Sequence, residues 1–365
     1  MKSFLSSVFA LLALTVAHAG TIPVGPTGTC AGDVNAIQNA VNSAQPRDIV
    51  QLAPGSYDFS CLTSDNSPGV FVGNPDVTLQ GTPGQTLVGG PGLAAQVFST
   101  AFFVAADGVA FDGIVFHDFF TAIQAGGPSL SANNLAVTNS IFRTNARAIT
   151  VSQDTISPRI VANQFLVPAP ISDDIFSPFG QAWGVIVDRH CSNLLFAQNT
   201  ITGPGVSAHF QSVDQLVADP RATGIGIRTV GFFQADFSGD IAVLGRVSDN
   251  LISGLDVGMQ SSSNFGIVTS NVVTNNAIGI DISNDFDDGI HRVSQNVVTE
   301  NVSTGNQVGI WMASATGNTI TLNDLTNNSL AGLLFLANPG GAPSTGNSFH
   351  QNKGGLVGAK GNSGF

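Results

Sequence analysis

Charged residues are scarce in this 365-residue sequence. Asp, Glu, Lys and Arg make up 10% of it, well below the roughly 25% of ordinary globular domains. Glu300 is the only glutamate. Because glutamate favours helices whereas Asp and Asn favour turns, this bias predicts strands joined by turns. The net charge of −12 argues against nucleic acid as a partner, since phosphate binding requires a basic surface.

Long apolar runs are lacking beyond the start of the chain. Lys2, the stretch "FLSSVFALLALTVA" and the small-x-small segment Ala17-His18-Ala19 match a signal peptide. We therefore expect a signal peptide over residues 1–19 and a single domain over residues 20–365, secreted, extracellular or periplasmic. No later run approaches the roughly 20 apolar residues of a membrane helix, so no membrane span is expected.

Cysteine is also rare, with three residues in the chain. Cys30 and Cys61 flank the first structural unit, and in an exported protein they either form a disulfide or remain unpaired. Cys191 is left over. We expect it to be a small buried residue rather than a nucleophile.

An internal repeat is the main feature that the sequence does contain. Nine Asp or Asn residues are each followed two positions later by an apolar residue, at intervals that are mostly 21 to 27 residues. Stacked units of this length are typical of a solenoid, in which asparagines at the corners form ladders. The repeat positions are Asp112, Asn139, Asn163, Asn199, Asn250, Asn271, Asn296, Asn323 and Asn347.

A second pattern follows each repeat position, in the order small, apolar, variable, apolar. This alternation is typical of a strand with one face inward. The eight segments are "AIQA" at 122, "AITV" at 148, "GVIV" at 184, "GIGI" at 224, "GLDV" at 254, "GIDI" at 279, "GIWM" at 309 and "GLLF" at 332.

The N-terminal segment has a helical pattern instead. "DVNAIQNAVNSAQ" places Val34, Ile37 and Val41 on one face of a short helix that Asp33 would cap. "RDIVQLAPGSYDF" then predicts a strand and a tight turn. We expect residues 30–60, approximately, to cover the open edge of the first coil.

With "AIQNAV…RDIVQLAPGSY" and the repeated N-x-apolar coils, residues 33–352 resemble the right-handed parallel β-helix proteins of the pectin-lyase-like superfamily. The resemblance implies an all-β solenoid of about ten coils with a short N-terminal capping helix. Members of that superfamily include polysaccharide lyases, glycoside hydrolases, uronate epimerases and non-catalytic surface proteins. Fold alone does not choose among these activities.

The outward position of the strand pattern carries the candidate catalytic residues. It predicts that Asp256 and Asp281 stack on adjacent coils, with Arg228 on the coil before and Trp311 on the coil after. Two such carboxylates either act as a catalytic pair or bind Ca²⁺; the alternative is a pair of solvated surface residues. Trp311 either offers a flat surface to a sugar ring or is exposed without a function.

Acidic residues continue directly after Asp281. "DISNDFDDG" adds Asp285, Asp287 and Asp288, which we predict as further metal ligands, although the segment lacks the distal glutamate of an EF-hand. A polar turn without an ion is the alternative.

"WGVIVDRHCS", residues 183–192, is similar to the W-I-D-H-C-S strand of pectate lyases. There the aspartate matching Asp188 lies near calcium, but Arg189 is inserted here and shifts His190 to the opposite face. We predict these three residues as substrate-binding. Arg228 fits that family's use of arginine as base or carboxylate clamp; the alternative is a structural salt bridge.

Three long loops are predicted, over residues 166–182, 203–223 and 229–245. The first is rich in aromatics and proline, which suits the wall of a cleft. The sequence thus predicts a secreted polysaccharide-active protein, foremost a Ca²⁺-assisted lyase of an acidic glycan. The alternatives are a glycoside hydrolase that uses the Asp pair and a non-catalytic adhesion protein.

Overall fold

The computed structural model describes residues 19–63, 68–127, 130–152, 154–172, 174, 177–187, 191–207, 228–235, 245–262, 264–283, 293–313, 315–336 and 345–357. The predicted signal peptide lies outside them, except for Ala19. The described chain contains an α-helix over Cys30–Ser43, a 3-10 turn over Leu93–Ala95, and three long parallel sheets.

Each coil contributes one strand to each of these sheets, in a fixed order. The twelve-stranded sheet contains Thr21–Val24, Ile49–Leu52, Thr78–Gln80, Ala110–Asp112, Ala136–Thr138, Arg159–Val161, Leu194–Ala197, Gly245–Ser248, Ile267–Thr269, Val297–Thr299, Thr319–Thr321 and Ser348–His350. The nine-stranded sheet contains Gly55–Asp58, Thr86–Gly89, Val115–His117, Ile141–Arg143, Gln164–Leu166, Thr200–Thr202, Leu251–Ser253, Val272–Thr274 and Val302–Thr304.

The third sheet has eleven strands and the longest ones. It contains Pro68–Val72, Thr100–Val104, Thr121–Ala125, Arg147–Val151, Ala182–Val187, Thr229–Ala235, Val257–Ser262, Ile278–Ser283, Val308–Ala313, Ala331–Leu336 and Leu356–Val357. Val293–Ser294 and Ala315–Thr316 form a separate parallel pair.

Every strand of the three sheets pairs in parallel with the equivalent strand of the coil before or after it. Parallel strands joined by such crossovers wind in a right-handed sense. The chain is therefore a right-handed parallel β-helix with an N-terminal helix, which confirms the fold expected from the repeat.

The interior is filled by inward columns, meaning residues at equivalent positions on successive strands. In the nine-stranded sheet Phe116, Phe142 and Phe165 stack with ring centroids 5.1 and 5.0 Å apart. Ile201 and Ile252 continue the column. At about 25 cal/mol per Å² of apolar area removed from water, these buried columns are the main stabilising contribution.

Asparagine ladders form the corners, as predicted. Asn199 donates from its main-chain and side-chain nitrogens to Oδ1 of Asn250, at 2.9 and 3.0 Å. The same two bonds link Asn250 to Asn271. All three side chains are buried. Each amide thus satisfies a corner N–H that the sheets leave unpaired.

The repeat positions taken from the sequence mix two such ladders. Asn271 bonds to Asn301 rather than to Asn296, which lies at another corner and bonds to Asn318. The series was misassigned because the N-x-apolar pattern occurs twice in each C-terminal coil. At its N-terminal end, the ladder that contains Asn271 continues to Ser140, whose main-chain nitrogen donates to Asn163, and not to the predicted Asn139.

The N-terminal helix covers the first coils, with Ile37 and Val41 buried against the core. Its N-cap is Thr29, whose side chain accepts from Gly32, and not the predicted Asp33. Asp33 is buried and instead accepts from the main chain of Asp58 at 2.7 Å. Cys30 and Cys61 form a disulfide.

Candidate functional site

The structure describes four predicted site residues: Asp281 and Trp311 lie on strands of the eleven-stranded sheet, and Arg228 and Asp256 directly precede strands of it. The register of this sheet places Asp281 between Gln260 and Trp311. The predicted stacking of Asp256 on Asp281 is therefore wrong. Asp256 precedes its strand and lies level with Ala277, an offset of four residues, or about 13 Å of extended chain.

The segment "GLDV" caused this error because it fits the strand pattern better than the actual strand does. The actual strand reads Gly258, Met259, Gln260, Ser261. Ser261 lies in an inward column, where the pattern expects an apolar residue. The segment "GIGI", residues 224–227, lies outside the described residues. Thr229–Ala235 is the strand of that coil, so most of the predicted loop 229–245 that the structure describes is sheet.

Asp256 has a structural role that its buried position explains. Its Oδ1 accepts from the main chain of Ser207 at 2.7 Å, and its Oδ2 accepts from the main-chain nitrogens of Arg228 and Thr229 at 2.8 and 3.0 Å. Ser207 and Arg228 stand on either side of residues 208–227. The carboxylate therefore joins the two ends of that insertion.

Arg228 donates to the loop between Leu166 and Ala182 rather than facing open solvent. Its Nε donates to the carbonyl of Gly180 at 3.4 Å and its Nη2 to the carbonyl of Ser172. The predicted role as base or carboxylate clamp is not tested by this geometry. What the contacts show is that Arg228 ties the loop to the sheet.

Trp311 is buried, with 7% of its surface exposed, and packs against Leu334 and Val308. A sugar ring cannot stack on a side chain that is already covered, so the predicted stacking surface is wrong. Trp183 is the half-buried tryptophan of the eleven-stranded sheet, and its ring packs edge-on against Phe233 with centroids 5.0 Å apart.

Six predicted site residues lie outside the described residues: Asp188, Arg189, His190, Asp285, Asp287 and Asp288. Their proposed roles, and the Ca²⁺ that three of them would bind, remain predictions. Within the described ranges, no three His, Cys, Asp or Glu side chains come together as a metal-binding group.

A cavity of about 310 Å³ opens at the N-terminal part of the same sheet. Arg147 lies at its centre, at the start of a strand, with Thr121 on the coil before and Trp183 on the coil after. Arg147 is not among the site residues predicted from the sequence. The cavity is lined by Phe98, Thr100, Phe120, Thr121, Gln124, Arg147 and Pro178.

The guanidinium of Arg147 lies over the ring of Phe120, 4.8 Å from its centroid. Its Nε is buried and has no hydrogen-bond partner. The one ion pair found among the described residues joins His117 and Asp118, so no described carboxylate neutralises this cation. Desolvation by burial lowers the pKa of Arg147 from its ordinary value, although an arginine remains charged at neutral pH.

Aromatic side chains form one wall of the cavity. Phe179 packs against Phe98 and Phe120 with ring centroids 5.3 and 5.0 Å apart. Phe179 and Pro178 belong to the loop that Arg228 holds through Ser172 and Gly180. From the sequence, this loop was assigned to the wall of a cleft, and Pro178 of the loop lines the Arg147 cavity.

Gln124 supplies an oriented amide to the cavity. Its Nε2 donates to the carbonyl of Gly126 at 3.3 Å and to the hydroxyl of Ser152. Both amide hydrogens are thereby used, which leaves the side-chain carbonyl oxygen as an acceptor. An unpaired cation, an acceptor, hydroxyls and an aromatic wall together suit a ligand with a carboxylate, hydroxyl groups and apolar ring faces.

Solved structures of glycan-active proteins share this fold. The chain is similar to an alginate lyase from Paenibacillus sp., with 12% identity, a TM-score of 0.53 and coverage of 91% of this chain and 97% of that one. A mannuronan C-5 epimerase module from Azotobacter vinelandii matches with 14% identity, a TM-score of 0.55 and coverage of 90% and 93%. The tailspike of E. coli bacteriophage HK620, solved with a pentasaccharide, matches with 11% identity, a TM-score of 0.58 and coverage of 93% and 62%. At these identities the similarity establishes the fold.

In sequence, a family model described as periplasmic copper-binding protein (NosD) matches residues 236–363. No curated protein matches the chain. The matched segment has no cysteine, and its methionines, Met259 and Met312, are buried in the solenoid interior. Copper prefers thiolate, thioether and imidazole ligands. Apart from the two buried methionines, the described part of the matched segment contains one residue of these types, His350. These residues do not fit a copper site. No helix in the described chain is long and apolar enough to cross a membrane.

Proposed function

We propose that this chain is an exported, polysaccharide-active β-helix protein that binds an acidic glycan in the cavity around Arg147. The observation that carries the proposal is the unneutralised guanidinium of Arg147 beside an aromatic wall. Arginine binds a carboxylate through two parallel hydrogen bonds, which gives both affinity and orientation. The similarity of the fold to alginate-active and glycan-binding proteins supports this substrate class.

The net charge of the whole molecule affects which polyanions can bind and where they bind. With a net charge of −12, the protein repels polyanions except where a cation is fixed in a site of low dielectric. Arg147 is such a cation. Neutral glycans gain less from it, because a hydrogen bond from a guanidinium is stronger to a charged acceptor than to a hydroxyl.

The test compares Arg147→Gln with Arg143→Gln by calorimetric titration of galacturonate and mannuronate hexasaccharides. Arg143 is exposed, on a strand of the nine-stranded sheet, and is the matched control. A hydrogen bond to a charged group is worth about 1.5–3 kcal/mol, so Arg147→Gln should weaken binding about tenfold to a hundredfold. Equal affinities for the two variants would contradict the proposal.

The catalytic form of the proposal is lyase cleavage assisted by Ca²⁺, with Asp281 and the acidic segment 285–288 as ligands. A carboxylate held by a cation is a better electron acceptor, which eases proton removal at the neighbouring carbon. If this form is correct, a chelator stops formation of an unsaturated, ultraviolet-absorbing product. A hydrolase would continue to release reducing ends, but the separation of Asp256 from Asp281 removes the carboxylate pair proposed for it.

A ligand-stability measurement tests the metal independently of activity. Ca²⁺ that binds the folded state raises the unfolding midpoint of the wild type. The variant Asp285→Asn/Asp287→Asn should lose that increase. If Ca²⁺ leaves the wild-type midpoint unchanged, the metal is removed from the proposal while glycan binding at Arg147 still stands, as it would in a non-catalytic binding protein.

Export is supported by two observations. The N-terminal segment has the pattern of a signal peptide, and Cys30–Cys61 is a disulfide, which persists in oxidising compartments. Mass spectrometry of the protein from its native host should show a mature N-terminus close to Gly20.

A further inference from the structure

The outer face of the twelve-stranded sheet carries a second and larger cavity, of about 560 Å³. It lies on a different sheet from the Arg147 cavity and takes the form of a groove along the solenoid axis. Arg159, Leu195, Arg246 and Ile267 occupy equivalent positions on four successive strands and line it. Nothing in the proposed function uses this groove.

The register fixes the spacing of the two arginines. Arg159 and Arg246 are separated by one strand, that of Leu195. Neighbouring strands are about 4.8 Å apart, so the two side chains start roughly 10 Å apart on the same face. This distance is comparable with the length of a disaccharide unit in an extended polysaccharide.

Neither arginine has a neutralising partner among the described residues. They are exposed, and the ion pair between His117 and Asp118 is the one found among the described residues. In a chain with 24 acidic and 12 basic residues, two cations roughly 10 Å apart on one face form a local surface that attracts anions.

The floor and rim of the groove are apolar and aromatic. Ile267 is 42% exposed, and Phe265 is 40% exposed with a left-handed backbone φ of 57°. Asn193 donates to the hydroxyl of Ser157 at 2.8 Å and supplies a polar edge. Flat apolar faces between charged and polar groups suit pyranose rings that carry carboxylates.

We propose that this groove is a second binding site for an extended acidic polysaccharide. Arg159 and Arg246 bind carboxylates on alternate sugar residues, the ring between them lies over Leu195, and Phe265 packs against the next ring beyond Arg246. The substrate class rests on the proposed function. The site itself is separate from the Arg147 cavity. One long polysaccharide can therefore bind at both sites, or two polysaccharides can bind at once. In the first case the protein binds a polymer more tightly than a short fragment.

The experiment titrates galacturonate and mannuronate hexasaccharides into four proteins: wild type, Arg147→Gln, Arg159→Gln/Arg246→Gln, and the triple variant. Arg159 and Arg246 are exposed, so their replacement should leave the unfolding midpoint unchanged. We expect two binding sites in the wild type, one in Arg147→Gln, one in Arg159→Gln/Arg246→Gln and none in the triple variant. A glucose hexasaccharide is the neutral control, and Arg159→Lys/Arg246→Lys should retain part of the affinity.

Each outcome separates the two sites. Stoichiometry and affinity that are unchanged in Arg159→Gln/Arg246→Gln overturn the second site and leave the first. Binding that is lost in this variant but unchanged in Arg147→Gln overturns the proposed function at Arg147 and supports the groove. Equal binding of a polyaspartate of similar charge overturns the carbohydrate assignment, because it would mean a general polyanion surface.

Discussion

The inward column of the nine-stranded sheet begins with large side chains and ends with small ones. Its third, fourth and fifth residues are Phe116, Phe142 and Phe165, whereas its last two are Val273 and Ser303. The side chains of this column therefore decrease in volume from the phenylalanine stack to the C-terminal end. Close packing requires that something else fills or closes the space.

Amide side chains and close backbone contacts do this in the C-terminal half. The amide of Asn306 donates to the carbonyl of Val273 at 3.0 Å and to the hydroxyl of Ser303 at 3.1 Å. At Gly279, an added Cβ would lie 2.2 Å from the Ser303 hydroxyl. Apolar burial stabilises both halves, and hydrogen-bonded amides add to it in the C-terminal half of this column. A solenoid tolerates this difference because each coil interacts only with its neighbours.

The largest expected effect concerns the phenylalanine stack. Phe165→Ala removes a fully buried ring between Phe142 and Phe196 and should cost about 3–5 kcal/mol, whereas Val273→Ala in the same column should cost less, about 2 kcal/mol. Chemical unfolding measures the loss of unfolding free energy in each variant, and native-state hydrogen exchange shows which coils lose it. Equal losses would mean that the two halves do not differ in how burial stabilises them.

A ladder variant tests the other half. Asn271→Ala leaves the main-chain and amide nitrogens of Asn250 without their acceptor, and two unsatisfied buried donors should cost about 2–4 kcal/mol. Asn39→Ala, on the exposed face of the N-terminal helix, is the control. Faster hydrogen exchange confined to the C-terminal coils supports the comparison, and an unchanged midpoint contradicts it.

The N-terminal end should also respond to alkaline pH. Tyr57 is the only tyrosine of the chain and donates to the carbonyl of Val24 at 2.6 Å; burial raises its pKa to about 12. A raised pKa favours the neutral form in the folded state, so its stabilisation is complete below pH 10 and is lost as the pH rises towards 12.

Because no second phenol interferes, the phenolate absorbance reports this residue alone. The titration should be shifted upward in the folded protein and should return towards the ordinary pKa in denaturant. Tyr57→Phe should remove the pH dependence of the N-terminal coils in this window. An identical titration in both states would contradict the proposed burial effect.

The smallest effect concerns backbone strain at a corner. Leu322 is 48% exposed and has a φ of 59°, a region that asparagine tolerates better than leucine. Leu322→Asn should therefore stabilise the C-terminal half by about 0.5 kcal/mol. Leu251→Asn is the matched control, since Leu251 is also 48% exposed but lies in a strand. If both variants gain stability, the cause is the replacement of an exposed apolar side chain by a polar one and not the relief of backbone strain at Leu322.

The sequence was sufficient for the fold because the solenoid repeats its own pattern. Six of the eight strand segments were placed correctly, including "GIDI" over 279–282. The pattern failed where the true strand departs from it: Ser261 is a polar residue in an inward column. A template based on apolar periodicity then selects the nearest apolar segment, and that selection produced the false pairing of Asp256.

The cavity around Arg147 could not be predicted in the same way. Its wall comes from Pro178 and Phe179, which no repeat relates to Arg147. Their position depends on how Arg228 binds the loop. The available signal was the arginine itself: a cation at the start of an outward-facing strand, in a chain with few charges. Its lack of a partner is visible only once the coils are stacked.

The asparagine ladder also restricts how the protein can be produced. Asn301-Val-Ser matches the acceptor sequence for N-linked glycosylation, yet Asn301 and Ser303 are both 0% exposed. A sugar attached to this amide during translocation would occupy the place of the next rung, so folding and modification exclude each other there. Asn327, in the second acceptor sequence, is exposed and has no such conflict. A eukaryotic secretory pathway would thus yield a misfolded fraction that a bacterial host does not.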